Sequence, residues 1–280
     1  MPTYLFGGTV TNSMEAQSKI TALDELFTRS AKYKTGSDYL GLLQFINKFP
    51  TLSPFNAFLI HMQNKGVSIV MSANKWQRYK RVPKHNSRPL IILVPFAPIE
   101  FVYDISDTEG DEVPASLLNP FHTKGNVPIS MLKQLIVSIN KDDLGYEEYV
   151  MHKGTAGHAQ SKRKDLKISI NSTMNLEEKF STIIHELAHI YCGHLGINDL
   201  SWWNNRNFLK NDVMEIEAET IAYLVCGRFN LVTSSDYYLS EYIKKHTDIN
   251  GISLDTILVV AGYIESMLKP GFRSKSRKNK

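Results

Sequence analysis

Ile183-Ile184-His185-Glu186-Leu187-Ala188-His189-Ile190 sets the pattern H-E-x-x-H inside an apolar helical stretch, and this segment constrains the chain more than any other. On an α-helix positions i and i+4 share a face, so both imidazoles reach one ion while Glu186 points beside them. Neutral imidazole is a good zinc ligand at about 2.0–2.1 Å. A helix with two partly buried histidines would show the same letters, but apolar residues on both sides mark a core helix rather than a loop. The expectation is Zn2+ on His185 and His189, with Glu186 as the catalytic base.

A catalytic zinc generally takes three protein ligands and leaves the fourth position to water. The best source of the third is Asp212 to Val225, where charged and apolar residues again alternate at helical spacing. Glu215 and Glu219 lie four apart on one face, with Glu217 roughly opposite. Glu215 is expected to bind the metal and Glu219 to hydrogen-bond the outer nitrogen of a ligand histidine. Glu217 is expected on a solvated acidic face. The metzincin pattern H-E-x-x-H-x-x-G-x-x-H would need glycine at 192 and histidine at 195, where the chain has Cys192 and Leu195. His194 is therefore expected to close the helix, beside Gly193 and Gly196. Cys192 is expected to be a packing thiol.

The 280-residue chain has enough apolar residue for one large domain or two ordinary ones. Asp38 to Asn47 suits an amphipathic helix. Ser53-Pro54 suits an N-cap and first helical position. Val67 to Met71, Leu90 to Val94 and Ile99 to Ile105 suit strands. Residues from Glu109-Gly110 to Pro128 are rich in Gly, Asp, Pro, Ser and Asn and are expected to hold a linker. Beyond them we expect a short helix near Ser130 to Asn140, a strand at Leu166 to Ile170 and a helix from about Leu176 to Leu195. The fold class is α+β: a small α+β unit over 1–115, a zincin-like domain with the H-E-x-x-H helix over 116–268, and a basic disordered tail over 269–280.

Six of the 32 basic residues lie in 269–280, which holds no acid, leaving 26 against 28 acidic residues in the body. The formal charge of +4 thus belongs to the tail. Met1 to Gly8 has no basic stretch leading into an apolar run, and no apolar run approaches the roughly 20 residues of a membrane span. Cys192 and Cys226 are the only cysteines. A cytoplasmic protein without a membrane partner is expected.

Phe180 to His189, followed by Glu215-Ile216-Glu217-Ala218-Glu219, resembles the ImmA/IrrE family of metallo-endopeptidases over roughly residues 130 to 265. There the glutamate opening E-x-x-A is the third zinc ligand, which implies Glu215. The family usually has Asn or Asp after the alanine, where this chain has Glu219. Residues 35 to 115 resemble the N-terminal domain of ArdC-like antirestriction proteins through Ser53-Pro54-Phe55-Asn56-Ala57, Trp76, Arg81-Val82, Ile91 to Pro95 and Val102 to Gly110. Lys84 to Pro89 replaces the Gly-Glu-Lys turn of those proteins, and Tyr237-Tyr238-Leu239-Ser240 resembles their C-terminal part.

That resemblance implies single-stranded DNA binding. Between Ser72 and Ile99 there is no acid, and Trp76 and Tyr79 are interleaved with Lys75, Arg78, Arg81 and Lys84, as where bases stack beside a phosphate-tracking groove. Packing of both aromatics into the core is the alternative. The leading functional expectation is metal-assisted hydrolysis of a protein or peptide, such as the transcriptional repressors cut by ImmA/IrrE relatives. His158, Tyr223 or Tyr237 is expected to help stabilise the oxyanion. The strand Leu166 to Ile170 is expected to pair with the substrate by edge addition. The competing expectation is a single-stranded DNA binding antirestriction protein with an accessory zinc site.

Overall fold

In the first helix, Tyr39, Leu42, Leu43 and Ile46 recur at the spacing of one helical face, and all four are buried. They belong to α1 (Gly36–Asn47) of a computed structural model that describes residues 36–94, 97–113, 126–152, 155–162, 165–231 and 251–276. Helix α2 (Pro54–Gln63) starts as its sequence requires: Ser53 Oγ accepts the Asn56 N–H and Pro54 takes the first turn.

Three antiparallel strands follow, β1 (Val70–Ser72), β3 (Leu90–Val94) and β4 (Ala97–Asp104), in the order β1-β4-β3. Leu90 and Ile92 face the core, while Ile91 and Leu93 face out, as the period of a strand dictates. The outer edge of β3 is closed by two side chains of α2. Asn56 exchanges hydrogen bonds with Leu93, and Gln63 does the same with Ile91. Between β1 and β3 lie the short helix α3 (Ala73–Gln77) and β2 (Arg81–Pro83), which pairs with β5 (Thr108–Gly110).

In the second half, α4 (Ile129–Lys141) precedes a three-stranded sheet of β6 (Gly145–Tyr149), β7 (Gly157–Lys162) and β8 (Asp165–Asn171). The order is β6-β8-β7, with β6 parallel and β7 antiparallel to β8. The segment Leu166 to Ile170, expected to offer an edge, is therefore the middle strand, with both edges already paired. Among the described residues the outer strands of this sheet are β6 and β7, and it is β7 that approaches Thr182. Its close approach depends on Gly157, where a Cβ would stand 2.8 Å from Thr182 Cγ2 and 2.9 Å from Ile170 Cδ1.

Helix α5 (Leu176–Tyr191) packs on β7 and β8 and opens with a reciprocal capping box between Asn175 and Glu178. It ends sooner than the expected Leu195. Gly193 turns the chain at φ +74°, and a Cβ there would lie 1.9 Å from Asn204 O. Helices α6 (Asn211–Arg228) and α7 (Leu254–Met267) complete the described residues, which form seven α-helices and three small sheets in a mixed α+β fold.

One apolar core runs through both halves. Helix α1 rests on α6, where Tyr39 Oη donates to Thr220 Oγ1 at 3.1 Å. Arg228 at the end of α6 donates to Ile46 O at 3.1 Å, to Phe49 O at 3.0 Å and to Leu52 O, and pairs with buried Glu265 of α7. The basic tail departs from expectation as far as residue 276. Phe272 and Ser276 are buried, and Lys275 Nζ sits 4.6 Å from the centre of the Trp202 ring. A cation over an aromatic face, with an apolar anchor beside it, holds the segment down. Residues 277–280 lie outside the described residues. Among the described residues no helix is long and apolar enough to cross a membrane.

Candidate metal centre

One turn of α5 separates His185 from His189, and their Nε2 atoms stand 3.1 Å apart. Glu215, from the second turn of α6, places Oε2 3.5 Å from His185 Nε2 and Oε1 3.5 Å from His189 Nε2. Bonds of about 2.0–2.1 Å at tetrahedral angles separate donor atoms by roughly 3.3–3.4 Å, so two imidazoles and a carboxylate at these spacings fit a divalent ion. The group opens into a cleft of about 480 Å3, lined by Gly157, His158 and Ala159 of β7 and by Leu195, Asn211 and Met214.

The electrostatics are those of a site built around positive charge. Contact with His185 and His189 holds the Glu215 carboxyl well below the usual carboxylate range. Burial disfavours the charged form of His185, but the bond to Glu215 and the charges of Glu219 and Glu186 outweigh it and raise its pKa. Glu186 shifts the opposite way from Glu215. Burial pushes its carboxyl up, against the pull of both histidines and of the Ala159 N–H.

Behind the three donors, Glu219 Oε1 lies 3.5 Å from His185 Nδ1. His194 stands at the helix end as expected, its N–H closing on His189 O, while Glu217 departs from its expected place. His194 is buried, with Nδ1 3.1 Å from His189 Nδ1 and Nε2 3.0 Å from Glu217 Oε2. Glu217, expected on a solvated face, is 0% exposed. Its oxygens accept both ends of the Arg206 guanidinium, at 2.6 and 2.7 Å, and the Ser253 N–H at 2.6 Å. Burial alone would raise the Glu217 carboxyl, but the bonds from His194, Arg206 and Ser253 outweigh it and hold it low. A carboxylate can enter the interior when its charge is met by a planar, bidentate cation. Sequence spacing missed this pair because Arg206 lies in an aperiodic loop; an arginine between two glycine-marked turns and an acidic helix was the available signal. Cys192, His194 and Glu217 also come within ligand spacing of one another. Arg206 already occupies the carboxylate, and burial pushes the Cys192 thiol well up.

The remaining sequence-derived residues are scattered. Of the three oxyanion candidates, His158 lines the cleft, Tyr223 is not among the lining residues, and Tyr237 lies outside the described residues. Trp76 is corrected outright. Its ring is fully buried and its indole N–H donates to Tyr103 O at 2.9 Å, so no base can stack on it. Tyr79 is half-buried and packs edge-on to Trp76. The guanidinium of Arg81 is spent on Thr108, Gly110 and Asp111, which ties β2 to β5. Lys84 is exposed and donates to Ser106 O, while Lys75 on α3 and Arg78 just past its end are also exposed.

Residues 146–226, from β6 to the last turn of α6, match the Peptidase_M78 family model, described as the IrrE N-terminal-like domain. The matched segment holds all three donors and Glu186, and over this stretch the chain is similar to the IrrE N-terminal-like domain. Among solved structures, the chain is similar to the metal-free antirestriction protein ArdC from plasmid R388, at 9% identity and a TM-score of 0.37 over 77% of this chain and 82% of that one. The Mn(II)-bound form of the same protein gives 10% identity and a TM-score of 0.35, over 77% and 86%. No curated protein matches the chain significantly.

Proposed function

We propose that this chain is a zinc-dependent metallo-endopeptidase. The observation that carries the reading is the convergence of His185, His189 and Glu215 within 3.1–3.5 Å, beside the carboxylate of Glu186, at the foot of an open cleft. A zinc ion held there would supply Lewis-acid polarisation of the scissile carbonyl and a water acidified toward a pKa of about 7. Glu186 takes a proton from the attacking water and returns it to the leaving amine. Its raised pKa brings it nearer the operating pH, and the Ala159 N–H fixes its orientation. His158, on the wall of the cleft, donates to the developing oxyanion. An extended peptide lies along the free edge of β7, gaining main-chain hydrogen bonds beside the site. Glu219 orients His185 through its outer nitrogen.

Glu186→Gln tests the mechanism, because it keeps the shape of the side chain and removes the base. The variant should bind one equivalent of zinc by elemental analysis and lose at least about 100-fold in peptide cleavage, the usual scale of general-base catalysis. Undiminished cleavage would end the proposal. The substrate is a protein, with transcriptional regulators the first class to try, and two buried free cysteines fit a cytoplasmic setting.

Single-stranded DNA binding is the second part of the reading. It is supported by Lys75, Arg78, Lys84, His85 and Arg88 standing exposed in a stretch without acids. With Trp76 withdrawn into the core, affinity comes from phosphate contacts and falls steeply with salt. Titration of a labelled oligonucleotide at 50 and 200 mM salt checks this, and binding that ignores salt, or is absent at the lower value, counts against it.

A further inference from the structure

His194, Glu217 and Arg206 have no part in the chemistry proposed above, yet they form a fully bonded polar group that meets the site at His189. The direction of every hydrogen in the group follows from its ends. With Nε2 of His189 turned to the metal donors, its ring proton lies on Nδ1, 3.1 Å from His194 Nδ1. His194 Nδ1 therefore accepts, and the His194 proton lies on Nε2, 3.0 Å from Glu217 Oε2, a carboxylate that only accepts. Glu217 cannot drift, because Arg206 and the Ser253 N–H hold both its oxygens. Gly193 supplies the backbone turn that brings His194 back under α5, where its own N–H donates to His189 O at 3.0 Å.

His185 has no equivalent support. Glu219 stands 3.5 Å from its outer nitrogen, with a side chain 25% exposed against 0% for both His194 and Glu217. The geometry points to His194 as the positioning residue that fixes the tautomer and ring orientation of His189, so that the Glu217–Arg206 pair sets the site's metal affinity from the interior. This rests on the reading of His185, His189 and Glu215 as ligands of a divalent ion. An outer partner of a ligand histidine raises its basicity and removes rotamer freedom before the ion arrives, and its loss typically weakens metal binding 10–100-fold.

The test uses the full chain. Zinc affinity is measured by competition with a chromophoric chelator for the unaltered protein, His194→Leu and His194→Asn, with folding of each followed by thermal melts of the metal-free form. His194→Leu should bind zinc 10–100-fold more weakly. His194→Asn, whose Oδ1 stands in for the accepting Nδ1, should recover most of that loss. Should the leucine variant not fold, long-range proton–nitrogen NMR of the unaltered zinc-loaded chain decides: the inference requires the Nε2–H tautomer at His194. It is overturned by an Nδ1–H tautomer there, by a folded leucine variant with unchanged affinity, or by equal weakening in both variants. An unaltered chain that takes up no zinc overturns the ligand reading instead.

Discussion

A carboxylate's role in this chain is decided by what it is buried against. Asp104 and Glu217 are both nearly inaccessible, and both sit low because donors surround them. For Asp104 burial works upward, but the N–H groups of Ser68, Ile69 and Ser106 and the Ser106 hydroxyl outweigh it. A depressed folded pKa means that the stabilisation is present above the unfolded value of about 3.9 and is lost as pH falls through the lower folded value. Asp104→Asn should cost about 1–3 kcal/mol at neutral pH in urea denaturation, with the difference from the unaltered chain shrinking toward pH 2. His185, Glu186, His189 and the pair Glu215 and Glu219 were legible in the sequence because each set sits on one helix at a spacing that fixes its face. Glu217 and His194 were not. Their partners lie in a loop and past a chain reversal, and neither spacing nor charge pattern reveals a pair formed at that range.

Helices were easier to read than strands for the same reason. The cap at Ser53 and the apolar periodicity of α1 and α5 are local signals, and the expected ranges lie close to those found. β6 and β7, reading Gly-Tyr-Glu-Glu-Tyr and Gly-His-Ala-Gln-Ser-Lys, carry polar residues because each flanks the sheet and exposes much of its length. They escaped notice, and β8 was given the edge position that belongs to β7. Gly157 makes the consequence testable. Gly157→Val would drive side-chain atoms into Thr182 and Ile170 and lift β7 from α5. Overpacking of this kind costs about 1–3 kcal/mol, so the melting temperature should fall, and cleavage should fall further than folding accounts for because Ala159 leaves Glu186. A valine variant that melts and cleaves like the unaltered chain would contradict the assigned role of β7.

At the scale of the molecule, the boundary expected near residue 115 lies outside the described residues, and the core that the described residues form is continuous across the two halves. α1 and α2 pack on α6 and α7, and Arg228 binds the carbonyls between α1 and α2 while neutralising Glu265. Arg228→Met leaves Glu265 buried without its cation, and losses of about 3–5 kcal/mol are usual when one member of such a pair is removed. Thermal unfolding should shift downward as a single transition observed from both halves. Two separated transitions would mean that the halves are independent.

The two sheet rims differ in a way that bears on which outside chains the protein recruits. Asn56 and Gln63 imitate a missing neighbour along β3 with their carboxamides, so a passing extended segment finds that rim satisfied. Among the described residues β7 has a neighbour on one flank only, and that vacancy borders the cleft. An extended chain that meets the molecule thus finds the β3 rim capped and the β7 rim open beside His185, His189 and Glu215.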